Sequence, residues 1–370
     1  MATITYLTRI EFDEGLAARL PDFCAELGMA RPLLVTDAGL TALGMTARIA
    51  GCFATAPAIY DGTPANPTEE AVMQALAFYG QLGCDGIVAV GGGSSLDLAK
   101  ALRLLAVHAP PLARYAAVEG GAAHIKGPLP PMIAVPTTAG TGSEVGRGAV
   151  IVMQDGRKLG IVSPLMLPSL AVCDPELTYD LPPQLTAATG MDALAHCLET
   201  YMSAAVNPPA DAIALDGLLR GTGALRKAVQ NGRDKSARWD MMMAAMEGAM
   251  AFQKGLGAVH ALSHPLGALP GLSLHHGTLN AVLLPAVLRF NREVIGAKWQ
   301  RMEAILGGAP DARIAELNRD LGLPAGLLAM GVTEAQLPGI AAAAMKDHCH
   351  ATNPRRAGEG DYLALLKEAF

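Results

Sequence analysis

Asp192 and His196 stand four positions apart in an Ala/Leu-rich stretch that reads as helix, so both side chains leave one face. His260 and His264 repeat that spacing in a second apolar stretch, and His276 follows beside His275, just before Gly277. One carboxylate and three imidazoles can surround a divalent transition metal and still leave a position for substrate. A single histidine in an apolar helix ordinarily packs and hydrogen-bonds without any ion, and Asp192 after Thr189-Gly190 also suits a helix cap. Taken jointly, the ordinary readings weaken, because burying so many ionisable groups in three short segments without a shared partner is costly. Sequence alone leaves His260 and His264, and likewise His275 and His276, as competing ligands. A set of three nitrogens and one oxygen suits Fe(II) or Zn(II), with affinity order alone favouring zinc.

A second chemical signal lies upstream. Gly91, Gly92, Gly93 and Ser94 sit between a predicted strand and a predicted helix, where backbone N–H groups can approach a pyrophosphate. The loop Thr137-Thr138-Ala139-Gly140-Thr141-Gly142-Ser143 offers hydroxyls and mobile backbone at the end of another strand. Asp37 ends the strand RPLLVTD, where a carboxylate can bind ribose hydroxyls and repel a 2′-phosphate, which favours NAD over NADP. The G-x-G-x-x-G fingerprint is absent, so this is not a standard Rossmann signature. Metal plus dinucleotide suggests hydride transfer.

The elements that must position these residues change character along the chain. Strands at 31–37 and 57–62, one in 86–94 running into glycines and one in 131–145 entering a polar, Gly-rich loop alternate with helices at about 69–82 and in SLDLAKALRLLA. A hairpin-like passage turns at Asp155-Gly156, and SLAVCDPELT closes the series. This alternation predicts a mostly parallel sheet covered on both faces. Beyond Leu181-Pro182-Pro183 the pattern becomes Ala/Leu/Met runs at helical spacing. The expectation is an α/β dinucleotide-binding domain over 1–180 and an all-helical metal domain over 181–370.

With 370 residues there is room for two cores, and a formal net charge of −6 argues against a nucleic-acid partner. No basic run points to a membrane surface, and stretches such as LNAVLLPAVL are too short to span one. The N-terminus MATITYLTRIEFDEG does not read as a secretory signal, and six scattered cysteines without a C-x-x-C fit a reduced cytoplasmic protein. High apolarity with 17% charged residues predicts a homodimer or larger homo-oligomer.

The stretches ANPT, VGGGSSLDLAKA, PTTAGTGSEV, CDPELT, GMDALAHCLETYMS, GLGAVHALSHPLGA, HHGTLNAVLLP and the terminal NPR segment recur in one family. Over essentially its whole length the chain resembles the iron-containing (group III) alcohol dehydrogenases. The resemblance implies a dehydroquinate-synthase-like architecture, with an α/β dinucleotide domain followed by an all-α metal domain. It places the metal ligands on Asp192, His196, His260 and His276, leaving His264 as a nearby proton-relay candidate. Cofactor contacts would fall on Asp37, Asn66, Gly92, Gly93, Ser94, Asp97, Thr137, Thr138, Thr141 and Lys158, with the nicotinamide in an interdomain cleft beside the metal.

The reaction implied is hydride transfer between a small alcohol and NAD, with Fe(II) or Zn(II) as Lewis acid. A zinc-dependent polyol dehydrogenase or a dehydroquinate-synthase-like lyase is the nearest alternative, and a non-catalytic metal- or nucleotide-binding protein is the alternative of another class. The chain departs from the usual family pattern at Ala251-Phe252-Gln253-Lys254, at Gly146-Arg147-Gly148 and at His348-Cys349-His350, positions expected to border the substrate. Lys254, with Arg147, is therefore expected to recognise an anionic group on the substrate, the other reading being that Lys254 points to solvent or pairs with a helix C-terminus.

Overall fold

The computed structural model describes residues 8–370, so the first seven residues of the segment read for a leader lie outside it. Strands are β1 (Arg9–Phe12), β2 (Pro32–Val35), β3 (Ala58–Tyr60), β4 (Gly86–Gly91), β5 (Met132–Pro136), β6 (Gly148–Val152), β7 (Lys158–Val162) and β8 (Leu170–Cys173). Helices in the first part are α1 (Leu20–Glu26), α2 (Ala38–Ala42), α3 (Met45–Ala50), α4 (Glu69–Gln81) and α5 (Gly93–Leu105). The remainder carries α6 (Pro183–Met202), α7 (Pro208–Gln230), α8 (Lys235–Ala251), α9 (Ala258–Gly267), α10 (His276–Ile295), α11 (Ala297–Leu306), α12 (Pro310–Asp320), α13 (Leu337–Ala344) and α14 (Glu359–Glu368).

Contacts among the described residues define two units: one comprises 8–138 with Ser143–Thr178, and the other Tyr179–Phe370 with the loop Ala139–Gly142. In the first, a six-stranded sheet runs β1-β8-β5-β4-β2-β3 with every pairing parallel. Its central strands are apolar throughout because both faces are covered. Leu33, Val35, Ile87, Ala89, Met132 and Ala134 join α4 and α5 in one core, while Leu34, Val88, Val90, Ile133 and Val135 join α1 and α3 in the other. The Asp155-Gly156 turn closes a separate antiparallel hairpin, β6–β7, with Gly156 at φ 82°.

Strand β1 is the strand that sequence reading passed over, as it did the short helices α1, α2 and α3. Its RIEF pattern puts Arg9 and Glu11 on a half-exposed edge beside β8, so charge hides the strand. Arg9 pairs with both Glu11 and Glu26 there.

In the helical unit, α6 is buried from Thr186 to Met202 except at Thr189, and α7, α8 and α10 pack around it. A helix apolar nearly all round belongs in a core. Pro183 starts it, in the first turn, where a missing N–H is harmless. The loop Ala139–Gly142 joins this unit by close backbone approach: a Cβ on Gly142, at φ +64°, would lie 2.1 Å from the Ala249 Cβ.

Candidate functional site

Helix α6 presents Asp192, His196 and Glu199 at successive turns of one stripe, all three buried. Helix α9 supplies His260, and α10 begins at His276. Gly277 permits this convergence, since a Cβ there would lie 2.1 Å from the Ala188 carbonyl oxygen of α6. Asp192 Oδ1 lies 3.6 Å from His196 Nε2, 3.7 Å from His260 Nε2 and 3.7 Å from His276 Nε2. Donors on a tetrahedral ion with bonds of about 2.1 Å sit about 3.4 Å apart. Asp192, His196 and His260 thus bring their ligand atoms within 4.8 Å of one another, His276 Nε2 reaches the same carboxylate oxygen, and the donor chemistry fits Fe(II) or Zn(II).

The protonation pattern follows the same geometry. Burial acts to raise the Asp192 carboxyl, but His196, His276 and His260 outweigh it and hold the group well below the usual range. Burial lowers the His196 imidazole to about 4 despite Asp192. His196 Nδ1 makes no hydrogen bond of ordinary geometry, although the Gly140 backbone is near enough to act on the ring. Burial also works against charge on His260, yet Asp192 and Glu199 lift it to about 9.

Residues that sequence reasoning missed complete the arrangement. Glu199 Oε2 lies 2.5 Å from His260 Nδ1, and Oε1 accepts the Val259 N–H at 2.7 Å. The carboxylate thus fixes the ring so that Nε2 faces Asp192, the usual way a ligating histidine is oriented. Asn280, one turn beyond His276, donates through Nδ2 to Asp192 Oδ1 at 2.7 Å and lies 3.2 and 3.1 Å from His260 Nε2 and His276 Nε2. Its Oδ1 is buried without a partner. The i,i+4 spacing to His276 was the available signal for Asn280; for Glu199 it was the spacing of three from His196.

The terminal Asn353-Pro354-Arg355 segment braces the same helices. Asn353 Oδ1 accepts the Ala258 N–H at the start of α9, and Asn353 and Asn291 exchange side-chain hydrogen bonds. Arg355 donates to the Phe290 carbonyl. These contacts satisfy amides that a helix start otherwise leaves unpaired.

His264 is not among the converging nitrogens. Its Nδ1 is 2.8 Å from Asp347 Oδ2, and its ring stacks on His276 at 5.6 Å between centroids. Burial favours the neutral Asp347 carboxyl, but the His264 hydrogen bond prevails and holds it at about 2. An ionised Asp347 makes His264 Nδ1 the donor and leaves Nε2 as its free lone pair. His275, the rival of His276, precedes α10 at its N-cap position, and burial lowers its imidazole.

The structure corrects the expectation for Lys254. Its side chain is wholly inaccessible, and Nζ donates to the Thr200 and Tyr201 carbonyls at 3.0 and 3.3 Å and to Asp211. The cation is consumed at the C-terminus of α6 by dipole and carboxylate together, so it cannot receive a substrate anion. Arg147 stays exposed just before β6.

In the sheet unit, the adjacent order β5-β4-β2 brings three strand ends together. Asp37 follows β2 and caps α2 by accepting the Leu40 N–H. Gly92 caps α5, Gly93 opens it, and a Cβ on Gly92 would lie 3.4 Å from Thr138. Thr137 donates its backbone N–H to Gly91. The carboxyl edge of a parallel sheet with a helix N-terminus beside it is suited to a pyrophosphate. Ser94 Oγ donates to the Ala65 carbonyl at 2.6 Å, and Lys158 Nζ to Asn66 Oδ1 at 3.0 Å. Asp97 is half-buried and accepts from Ser143 Oγ and the Val150 N–H, tying α5 to the hairpin. Thr141 lies in the loop that clusters with the helices.

The family model described as iron-containing alcohol dehydrogenase matches residues 8–175, and the model of the C-terminal part of that family matches 186–370. The chain is 53% identical to a 4-hydroxybutyrate dehydrogenase of Cupriavidus necator, covering 100% of both. A crystal structure of a 1,3-propanediol oxidoreductase superposes with TM-score 0.94 at 36% identity, covering 100% of both chains. A sulfoacetaldehyde reductase from Bifidobacterium kashiwanohense in complex with NAD+ gives TM-score 0.91 at 27% identity, covering 100% of this chain and 98% of the other.

Proposed function

The chain belongs to the iron-containing alcohol dehydrogenase family, and from that premise we propose that it interconverts 4-hydroxybutyrate and the matching aldehyde acid with NAD. The class itself, a metal-dependent and NAD-linked alcohol dehydrogenase or aldehyde reductase, is that of its relatives. The observation supporting the substrate is the full-length likeness to the Cupriavidus necator enzyme, whose name specifies an alcohol carrying a carboxylate. The supporting geometry is the equal spacing of three imidazole nitrogens about Asp192 Oδ1.

In this reading Asp192, His196, His260 and His276 hold the metal. When bound, the ion supplies Lewis acidity to the alcohol oxygen, and NAD provides the hydride acceptor. Glu199 keeps the His260 proton on Nδ1, which leaves Nε2 free as a ligand. Asp347 does the same for His264, so His264 Nε2 can take the proton that the alcohol loses. Asn280 donates to Asp192 and thereby orients the carboxylate. Asp37, Gly92, Gly93, Ser94, Thr137 and Thr138 are assigned to the dinucleotide, with Asn66, Asp97, Thr141 and Lys158 shaping its surroundings.

The test is NADH formation by iron-loaded protein with 4-hydroxybutyrate, 1,3-propanediol and 1-butanol. The expected result is a kcat/KM at least about tenfold higher for the hydroxy acid. Equal values for 1-butanol would reject the substrate, and no NADH from any alcohol would reject the reaction.

No helix of the described residues is long and apolar enough to cross a membrane. High apolarity with only 17% charged residues supports assembly as a homodimer or larger, and a monomer mass by light scattering would reject it. Six free cysteines support a reducing cytoplasmic setting, which fractionation of the source cells tests.

A further inference from the structure

We propose that His264, Asp347, His348 and Cys349 form a second metal site that takes a borderline-to-soft divalent ion of the zinc class. Their ligand atoms all lie within 4.8 Å of one another. The site shares no residue with the Asp192 cluster, although the His264 ring stacks on His276, and it is richer in soft donors: it adds a sulfur where the first offers only nitrogen and oxygen. Mixed sulfur, imidazole and carboxylate donors are a common zinc set.

The local fold draws these donors inward. Asp347 caps the short 3-10 turn His348–Thr352 by accepting the Cys349 N–H at 2.8 Å through Oδ1. Its Oδ2 reaches His264 Nδ1 at 2.8 Å. His348, although about half exposed, folds back so that its ring stacks on His264 at 5.6 Å and its Nε2 lies 3.4 Å from Cys349 Sγ. The ring also stands 3.7 Å from Asp347 Oδ1 through Nδ1, so imidazole, carboxylate and sulfur already converge on one point. His350, two positions on, is committed elsewhere, with Nδ1 2.9 Å from the Tyr362 hydroxyl.

Sulfur and nitrogen donors on one tetrahedral zinc sit about 3.5–3.8 Å apart. The 3.4 Å pair is already that close, and since no separation exceeds 4.8 Å the others need contract by no more than about 1 Å. Rotation of the half-exposed His348 can supply it, and the same exposure admits the ion. On binding, the Cys349 thiol releases its proton to solvent, and His264 moves its proton from Nδ1 to Nε2 if Nδ1 is the ligand. Thiolate and carboxylate together balance the charge of a divalent ion. Loss of turnover on occupancy would follow from the proton role proposed for His264 and rests on that reading; binding itself does not.

Cd(II) added anaerobically to the iron-loaded protein tests the site, with both metals counted per chain and the ultraviolet thiolate-to-cadmium charge-transfer band recorded. The expected result is one Cd(II) bound with iron retained and the band present. His348→Asn should weaken Cd(II) binding at least about tenfold. Cys349→Ser should abolish the band, and the half-exposed His348 variant keeps the test open if the buried serine impairs folding. Cd(II) that displaces iron without a thiolate band, a band surviving Cys349→Ser, or no bound Cd(II) overturns the proposal.

Discussion

Replacing Glu199 by Gln exchanges one carboxylate oxygen for an NH2 group while keeping the side chain's shape. The two oxygens now serve two donors, His260 Nδ1 at 2.5 Å and the Val259 N–H at 2.7 Å, in a side chain only 1% exposed. An amide has one acceptor for these two donors, so one must face an NH2 group. Either the α9 amide goes unpaired or His260 loses its orienting acceptor and turns its proton toward Nε2, where the ion is expected to bind. Loss of such a supporting carboxylate typically weakens metal binding about 10–100-fold, or about 1.4–2.7 kcal/mol. Chelator competition monitored by bound iron reads this directly, with circular dichroism confirming the fold. Iron affinity equal to wild type would refute the claim that Glu199 acts through His260.

Asp347→Asn should lower kcat about 10–100-fold while bound iron is unchanged, because His264 loses the partner that fixes its tautomer; unaltered turnover removes His264 from proton transfer. Lys254→Met should leave kcat/KM for 4-hydroxybutyrate within about twofold but destabilise the fold by about 1–3 kcal/mol in urea melts, since the α6 carbonyls and Asp211 lose a buried donor. A selective rise in KM for the hydroxy acid would restore Lys254 as a substrate contact. Burial, then Asp216, pushes the Glu247 carboxyl up from 4.5 to about 8. The folded chain keeps this proton after the unfolded chain has released it, so stability falls as pH rises across that interval. Glu247→Gln should thus melt at higher temperature than wild type at pH 8 and show little gain at pH 5; an equal gain at both rejects the assignment.

The sheet and the pairing of Asp192 with His196 were legible because both rest on local periodicity. Apolar runs ending in glycine mark buried parallel strands, and the four-residue spacing of Asp192 and His196 needs only a helix to become a pair. Resolving His260 from His264 required tertiary information, since both share a face of α9 and only the ring beside Asp192 and Glu199 turns inward. Glu199 itself went unread because an acidic residue near a helix end ordinarily faces solvent. Lys254 was misread for the complementary reason: its partners Thr200, Tyr201 and Asp211 lie far off in sequence and become neighbours only when α6, α7 and α8 pack. Strand β1 was hidden by Arg9 and Glu11, charges that an edge strand tolerates.

Anomalous diffraction at the iron absorption edge, from crystals of the iron-loaded protein, probes the central claim most directly. The account predicts a peak within about 2.0–2.2 Å of Asp192 Oδ1 and of Nε2 of His196, His260 and His276. A peak bound elsewhere, or one lacking any of those four contacts, would contradict it.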